Sequence, residues 1–264
     1  MINLFDGLDK LGFKKLPKMD SIFHDVQDKK DQSPQSKGTD AEGAFDISKF
    51  VFLKNRICPV CDHSFPDIMM LKSKCRYLYS DTDLRAYFSP LEPMFYDIVC
   101  CHFCGYAAMN SHFDQISEKQ ADLIIDAIKP QFVYKEYPVN ISAADAEELY
   151  QLALLCATVK RTKASEKAML CLRLAWIARE QKKSEREKEL MQVALEGFEI
   201  AYEQEDFPMY GMEPMTLCYL MGDLNRRIGR PDEALRYLGR VIISKSANNR
   251  LKERAREVQD LIRK

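Results

Sequence analysis

The sequence lacks the features that mark membrane proteins and general nucleic-acid binders. Its longest apolar stretch, around Leu152 to Val159, is far shorter than the roughly 18 residues that a membrane-spanning helix needs. The 39 basic and 40 acidic residues nearly cancel, so the whole chain has no charge that would attract nucleic acid or an anionic membrane. Asp6 is acidic where a signal peptide would be basic and then apolar. We therefore expect a cytoplasmic protein without membrane insertion.

Signatures of catalysis are also missing. The sequence contains no phosphate-binding Gly-x-x-x-x-Gly-Lys loop, no dinucleotide-binding glycine pattern and no His-Glu-x-x-His motif. Its four histidines supply few general bases that would work near neutral pH. We therefore predict that the chain is not an enzyme.

Cysteine, in contrast, is plentiful and patterned. The nine cysteines include two Cys-x-x-Cys pairs, Cys58 with Cys61 and Cys101 with Cys104. Each pair can form a tight turn that offers two thiolates to one metal ion, and two such turns make a tetrahedral site for Zn²⁺. A residue that tolerates left-handed backbone follows each pair, as such turns often require. Because protein ligands fill all four positions, we predict one structural zinc ion.

Other ligand sets stay open at this stage. Cys75 and Cys100 could replace one of the four cysteines or act as redox partners, although a small buried side chain explains each of them as well. His63 and His102 stand beside the two pairs and could complete a variant site.

Local composition divides the chain into five predicted segments. The first has Leu4, Phe5, Leu8 and Leu11 at helical spacing, which indicates an amphipathic element that docks either on a partner or on the chain itself. The second is polar and is predicted to be a flexible linker. The boundaries are 1–23 for the amphipathic segment, 24–44 for the linker, 45–116 for a zinc ribbon with an enlarged insertion, 117–141 for a helix and connector, and 142–264 for a helical domain.

Period-two patterns predict strands in the ribbon, at 50–57, 68–79, 84–88 and 94–99. In the second of these, Lys72, Lys74 and Arg76 would share one face and Cys75 the other. A capping box at Ser117 then predicts a helix that ends before Pro130.

Six further helices are predicted after residue 142, separated by breaks near 161–162, 182–183, 207–208, 229–231 and 246–248. The segment from Leu220 to Leu235 resembles a tetratricopeptide hairpin, because the small residues Gly222 and Ala234 would let two paired helices approach closely.

Several motifs together carry a resemblance to a known family. They are Cys58-Pro-Val-Cys61, Ser80-Asp-Thr-Asp83-Leu-Arg85, Phe95-Tyr-Asp97, Cys101-His-Phe-Cys104-Gly-Tyr-Ala-Ala108, Lys163-Ala-Ser-Glu-Lys-Ala168 and Leu172-Arg-Leu-Ala-Trp176. With them the chain resembles a widespread bacterial family known mainly as a domain of unknown function. In that family a short amino-terminal peptide and polar tether precede a zinc ribbon and a tetratricopeptide-like helical half. The resemblance implies this architecture and no activity.

Two groups of residues are candidates for binding a partner. Asp81, Asp83 and Arg85 cluster charges in the ribbon's insertion, where turn chemistry or a surface ion pair is the alternative explanation. Trp176, with arginines one turn away on either side, could line a concave helical surface, although packing is a common role for tryptophan in such repeats. The candidate set is Asp81, Asp83, Arg85, Arg173, Trp176 and Arg179.

The sequence therefore predicts an α+β protein in which a small β-rich zinc ribbon precedes an all-α tetratricopeptide-like domain. We expect a non-enzymatic adapter or scaffold that binds a protein or peptide partner. A nucleic-acid-associated regulatory factor is one alternative, since residues 220–264 contain twelve basic and six acidic residues. A thiol-redox or metal-handling protein that uses the spare cysteines is the other.

Overall fold

A computed structural model of the chain describes residues 4–5, 7–13, 22–23 and 46–263. The described part is a mixed α+β fold of six short strands, paired in three two-stranded sheets, and seven α-helices. Its residues form two compact units, the first from the described residues before 77 together with residues 89–161, and the second from residues 77–88 and 162–263. The predicted linker 24–44 and most of the predicted segment 1–23 lie outside the described residues.

The first unit contains two antiparallel hairpins and two helices. Strands β1 (Val51–Ile57) and β2 (Ser64–Met70) pair so that Val51 faces Met70 and Ile57 faces Ser64. Strands β5 (Ile98–Cys100) and β6 (Ala107–Met109) form the second hairpin. Each hairpin carries one Cys-x-x-Cys pair in its turn, so the sheet registers determine where the four thiols lie.

Helices α1 (Glu118–Ala127) and α2 (Ala143–Val159) complete the first unit. Both begin at a serine capping box, which confirms the predicted start of α1 at Ser117. Helix α2 is buried along most of its length and packs on β5 and β6, where the Cys156 thiol accepts a hydrogen bond from the Ala107 amide at 3.4 Å. The short 3-10 helix Leu8–Leu11 also packs on α2.

Two predicted strands were wrong in extent. The predicted strand 68–79 is broken by a 3-10 turn at Lys72–Lys74, so these two lysines and Arg76 do not lie along one strand. Strand β2 ends at Met70 and pairing stops one residue later, where the Leu71 amide donates to the Phe50 carbonyl at 2.7 Å, because the chain before Phe50 forms a 3-10 turn and offers no extended partner. In the predicted strand 94–99, Pro93–Tyr96 forms a 3-10 turn whose local hydrogen bonds replace strand pairing.

The second unit combines one hairpin with five helices. Strands β3 (Arg76–Ser80) and β4 (Ala86–Ser89) pair in a two-stranded sheet, and residues 77–88 of this hairpin belong to the second unit. The helices are α3 (Ala164–Glu180), α4 (Ser184–Gln204), α5 (Pro214–Arg227), α6 (Pro231–Ile243) and α7 (Asn249–Arg263). Together with α2 they make the six predicted helices, with breaks at the predicted places.

Helices α5 and α6 pack closely at Gly222. A Cβ atom at this position would lie 2.8 Å from Cγ of Leu238, which is shorter than a normal contact between carbon atoms. Ala234, the other small residue predicted to permit close approach, is fully buried. In the described part of the chain, no helix has both the length and the apolar composition needed to cross a membrane.

Candidate metal centre and hairpin anchor

The four predicted cysteine ligands lie together in the first unit. The Sγ atoms of Cys58, Cys61, Cys101 and Cys104 are all within 4.8 Å of one another. The Sγ atoms of Cys58 and Cys104 are 3.6 Å apart, as are those of Cys61 and Cys101. A tetrahedral zinc ion with Zn–S bonds of about 2.3 Å requires sulfur atoms about 3.8 Å apart. The thiols are therefore spaced for one zinc ion.

The two turns that carry the thiols have matching backbone geometry. In the first, the Asp62 amide donates to the Cys58 carbonyl at 2.9 Å; in the second, the Gly105 amide donates to the Cys101 carbonyl at 3.0 Å. Asp62 and Gly105 both adopt positive φ, at 59° and 73°, as the sequence predicts. The left-handed residue lets the chain return into its hairpin directly after the second cysteine of each pair.

The four thiols stabilise one negative charge among themselves. Hydrogen bonds from the thiols of Cys104 and Cys58 lower the pKa of Cys101 to about 2. The hydrogen bond to Cys101 raises the pKa of Cys58 to about 12, and the pKa of Cys104 is raised as well. One thiolate is thus stable among its neighbours, whereas four thiolates require a positive charge. A divalent cation that accepts thiolate ligands meets this requirement, so the residues fit Zn²⁺.

The alternative ligands do not join the cluster. Cys75 is buried, and burial raises the pKa of its thiol. Burial also raises the pKa of Cys100, whose Sγ lies 3.9 Å from the Cys101 carbonyl oxygen. His63 bonds the Cys61 carbonyl at 2.7 Å through Nδ1, and His102 stacks on Tyr134 with ring centroids 4.1 Å apart.

The second unit holds the β3–β4 turn, residues 81–85, through a network that we call the hairpin anchor. Asp83 is fully buried and receives hydrogen bonds from the Trp176 indole at 2.9 Å and from the Arg179 guanidinium. Arg179 also donates to Asp81 at 2.9 Å. Burial opposes the charged form of Arg179, but hydrogen bonds to Asp83 and Glu187 and the charges of these two carboxylates together outweigh burial and raise the pKa of this arginine.

Arg85 is the most deeply buried base of the anchor. Only 1% of Arg85 is exposed, and its guanidinium donates to the Trp176 carbonyl at 2.8 Å and to Glu180 at 2.6 Å. The same guanidinium lies 4.3 Å from the ring centroid of Tyr87. Five of the six candidate partner-binding residues, namely Asp81, Asp83, Arg85, Trp176 and Arg179, are therefore joined in one network.

Arg173 differs from the other five candidates. Its guanidinium lies over the Trp176 ring, 4.9 Å from the centroid. Its Nε atom, like that of Arg85, is buried and has no hydrogen-bond partner within the described part of the chain.

Sequence reasoning missed the half of the anchor that α5 and α7 contribute. Buried Asp223 accepts from Thr82 and Arg227, each at 2.8 Å. The Tyr219 hydroxyl donates to the Thr82 carbonyl at 2.7 Å, and Arg254 donates to the Asp81 carbonyl at 3.1 Å. A signal for Asp223 was available, because it is an acid within the apolar run of α5 and precedes two arginines at helical spacing.

Burial alone acts to raise the pKa of Asp81, but its surroundings reverse that effect. The charge of Arg227, the Thr82 amide and Arg179 together lower the pKa of Asp81 below its usual value. Arg227 donates to the Asp81 carboxylate at 2.7 Å. The anchor therefore holds Asp81 in its charged form.

Above the anchored turn, the hairpin exposes an aromatic surface. Tyr77, Leu78 and Tyr79 are consecutive on β3, and 54%, 44% and 56% of their surfaces are exposed. Tyr79 stacks on Tyr87 with centroids 4.6 Å apart, and Tyr77 packs edge-on against Phe88. We call the four aromatic residues Tyr77, Tyr79, Tyr87 and Phe88, which these ring contacts join in pairs, the hairpin face. Both sides of β3 are open to solvent, unlike a strand that covers a core.

Comparison with known proteins gives a family match. A family model with the description "Uncharacterized protein conserved in bacteria (DUF2225)" matches residues 51–262, which include both Cys-x-x-Cys pairs and the hairpin anchor up to Arg254. No curated protein and no solved structure matches the chain.

Proposed function

We propose that this chain, which belongs to the DUF2225 family of uncharacterized proteins conserved in bacteria, is a zinc-binding adapter that docks another protein through its hairpin face. In this proposal one structural zinc ion closes the two cysteine turns. The helices of the second unit act as a tetratricopeptide-like scaffold, and the protein performs no catalysis. We also keep the predicted cytoplasmic location, since a reducing compartment preserves free thiols for zinc.

The exposed aromatic surface of the hairpin is the observation that carries this proposal. Isolated two-stranded hairpins are marginally stable in water, and clustered exposed aromatic side chains mark binding surfaces more often than inert ones. Tyrosine is also enriched among the residues that dominate binding energy at protein interfaces. The hairpin face therefore suits a protein partner with a complementary apolar surface.

The hairpin anchor supplies the rigidity that such a surface needs. Asp83 and Arg85 are too deeply buried to touch a partner, but their hydrogen bonds to α3 fix the turn from which both strands extend. Ordering the hairpin before binding lowers the entropy cost of association. In this proposal the predicted partner-binding residues act by positioning the hairpin face.

The same anchor weakens the nucleic-acid alternative. Arg226, Arg227 and Arg254 belong to the basic C-terminal region, yet all three donate to the β3–β4 turn or to Asp223. The charges of Arg226 and Arg227 are therefore compensated by carboxylates inside the second unit and contribute little attraction toward phosphates. The thiol-redox alternative is disfavoured because burial raises the pKa of Cys75, Cys100 and Cys171, which keeps these thiols protonated at neutral pH.

The test is affinity capture from bacterial extract with full-length, zinc-loaded protein. Three baits are compared: wild type, the double variant Tyr77→Ser with Tyr79→Ser, and the control Ile243→Ser, whose side chain is 82% exposed in the same unit. We expect a defined set of proteins to be retained by wild type and control. The double variant should recover these proteins at least about 30-fold less than wild type does. A loss of this size is what the removal of one strong hot-spot residue causes at a protein interface.

Each bait is also treated with nuclease and checked for an unchanged melting temperature. Proteins that the double variant still retains at wild-type levels would contradict docking at the hairpin face. Recovery of nuclease-sensitive material alone would instead favour the nucleic-acid-associated factor.

A further inference from the structure

The connector between α1 and α2 touches two parts of the first unit through alternate residues. We call residues 131–134 the connector strip, residues 4–5 and 7–13 the N-terminal segment and residues 101–105 the second knuckle. The strip leaves α1 through a turn, in which the Gln131 and Phe132 amides both donate to the Ile128 carbonyl. It contacts the N-terminal segment with one set of residues and the second knuckle with the other.

Gln131 and Val133 contact the N-terminal segment. The Val133 amide donates to the Leu11 carbonyl at 2.8 Å. The next residue of the segment, Gly12, has φ of 96°, and a Cβ atom there would lie 1.9 Å from the Gln131 carbonyl oxygen. The segment and the strip thus meet backbone to backbone, at a place where only glycine fits.

Phe132 and Tyr134 contact the second knuckle. A Cβ atom on Gly105 would lie 2.4 Å from Cγ of Phe132, so this ring rests on the knuckle's backbone. The Tyr134 ring stacks on His102, between the two cysteines of the knuckle, with centroids 4.1 Å apart and planes 26° apart. The position of the strip therefore depends on the shape of the knuckle.

The N-terminal segment itself is well buried on this unit. Leu8 and Leu11 are 0% and 1% exposed. Lys10 reaches Glu148 of α2 at 3.4 Å, and Glu148 also accepts from Lys135 at 2.6 Å, one residue after the strip. The sequence predicts that the amphipathic segment docks either on a partner or on the chain itself. The described residues of this segment pack on the chain itself.

We propose that the connector strip is a docking surface for the N-terminal segment, and that the second knuckle keeps the strip in its docking conformation only while the cysteines of the knuckle bind zinc. Loss of zinc would remove the bonds that join the second knuckle to the first, and the knuckle would lose the fixed geometry on which Phe132 and Tyr134 rest. The strip would then release the segment. This device rests on the proposed zinc site but not on the proposed partner.

The first test uses hydrogen exchange on zinc-loaded full-length protein. Tyr134→Ala removes the stack on His102, and Val139→Ala is the matched control, since these side chains have similar exposures of 39% and 41%. We expect exchange at residues 8–13 to accelerate at least about fivefold in Tyr134→Ala and to stay unchanged in the control. Unchanged exchange in Tyr134→Ala would overturn the proposal, and so would an equal acceleration throughout α2, which would indicate general unfolding.

The second test uses the reciprocity of coupled sites. The double variant Leu8→Asp with Leu11→Asp should detach the segment, and transfer of zinc to a chromophoric chelator should then be at least about fivefold faster than in wild type. Leu123→Asp, an exposed leucine on α1, is the control. Equal transfer rates would overturn the coupling while leaving the zinc site intact. If purified wild-type protein contained no zinc, the proposed zinc site itself would be wrong.

Discussion

Asp83 shows how a single charged side chain can be tolerated in a protein interior. A buried carboxylate is costly unless hydrogen bonds and opposite charge replace the water that it loses. Asp83 obtains both, from the neutral Trp176 indole and the Arg179 guanidinium. Removing the carboxylate would leave these donors buried without their partner, which costs more than losing an ordinary surface contact.

We therefore predict that Asp83→Ala lowers the free energy of unfolding of the second unit by about 3–5 kcal/mol. Glu233→Ala is the control, because its ion pair with Arg236 is exposed and should be worth less than about 1 kcal/mol. Urea unfolding followed by circular dichroism measures both variants. A loss for Asp83→Ala no larger than that of the control would show that the anchor contributes little stability.

At the scale of elements, the packing of α5 on α6 depends on the absence of a side chain at Gly222. The contact with Leu238 leaves no space for a methyl group, so helix separation must increase or Leu238 must shift. This explains why a residue with poor helix propensity is buried within α5.

We expect Gly222→Ala to destabilise the protein by about 1–3 kcal/mol, despite the better helix propensity of alanine. Introducing Gly222→Ala into a Leu238→Ala background tests whether steric overlap with Leu238 causes the destabilisation. If it does, Gly222→Ala should lower the free energy of unfolding by at least about 1 kcal/mol less in that background than in wild type. Equal costs in both backgrounds, measured as urea midpoints with unchanged slopes, would exclude the steric explanation.

The elements that sequence reasoning located well are those whose signals are local. Capping boxes and breaks between helices involve residues a few positions apart, and the cysteine turns are similarly short. The hairpin anchor depends instead on distant pairs such as Thr82 with Asp223, which one sequence does not reveal. Likewise, the break in the predicted strand 68–79 follows from where β1 begins and not from any strong turn residue.

At the scale of the whole molecule, the two compact units differ in how they are stabilised. The first has two short hairpins joined at four thiols beside the buried helix α2, so the structure of its hairpin turns should depend on metal binding. The second has five helices with their own apolar core and an internal ion-pair network. Zinc should therefore matter to the structure of one unit and not of the other.

We predict that purified protein contains one zinc ion per chain and that chelation removes hydrogen-exchange protection selectively. Amides of the two cysteine turns, residues 58–63 and 101–106, should lose protection, whereas those of α3 to α7 should keep it. Cys104→Ser should reproduce the effect without chelator, and Cys75→Ser, which alters a buried thiol outside the cluster, should not. Equal loss of protection in α3 to α7 would mean that zinc stabilises the entire chain, and the second unit could then not serve as a metal-independent scaffold for the hairpin face.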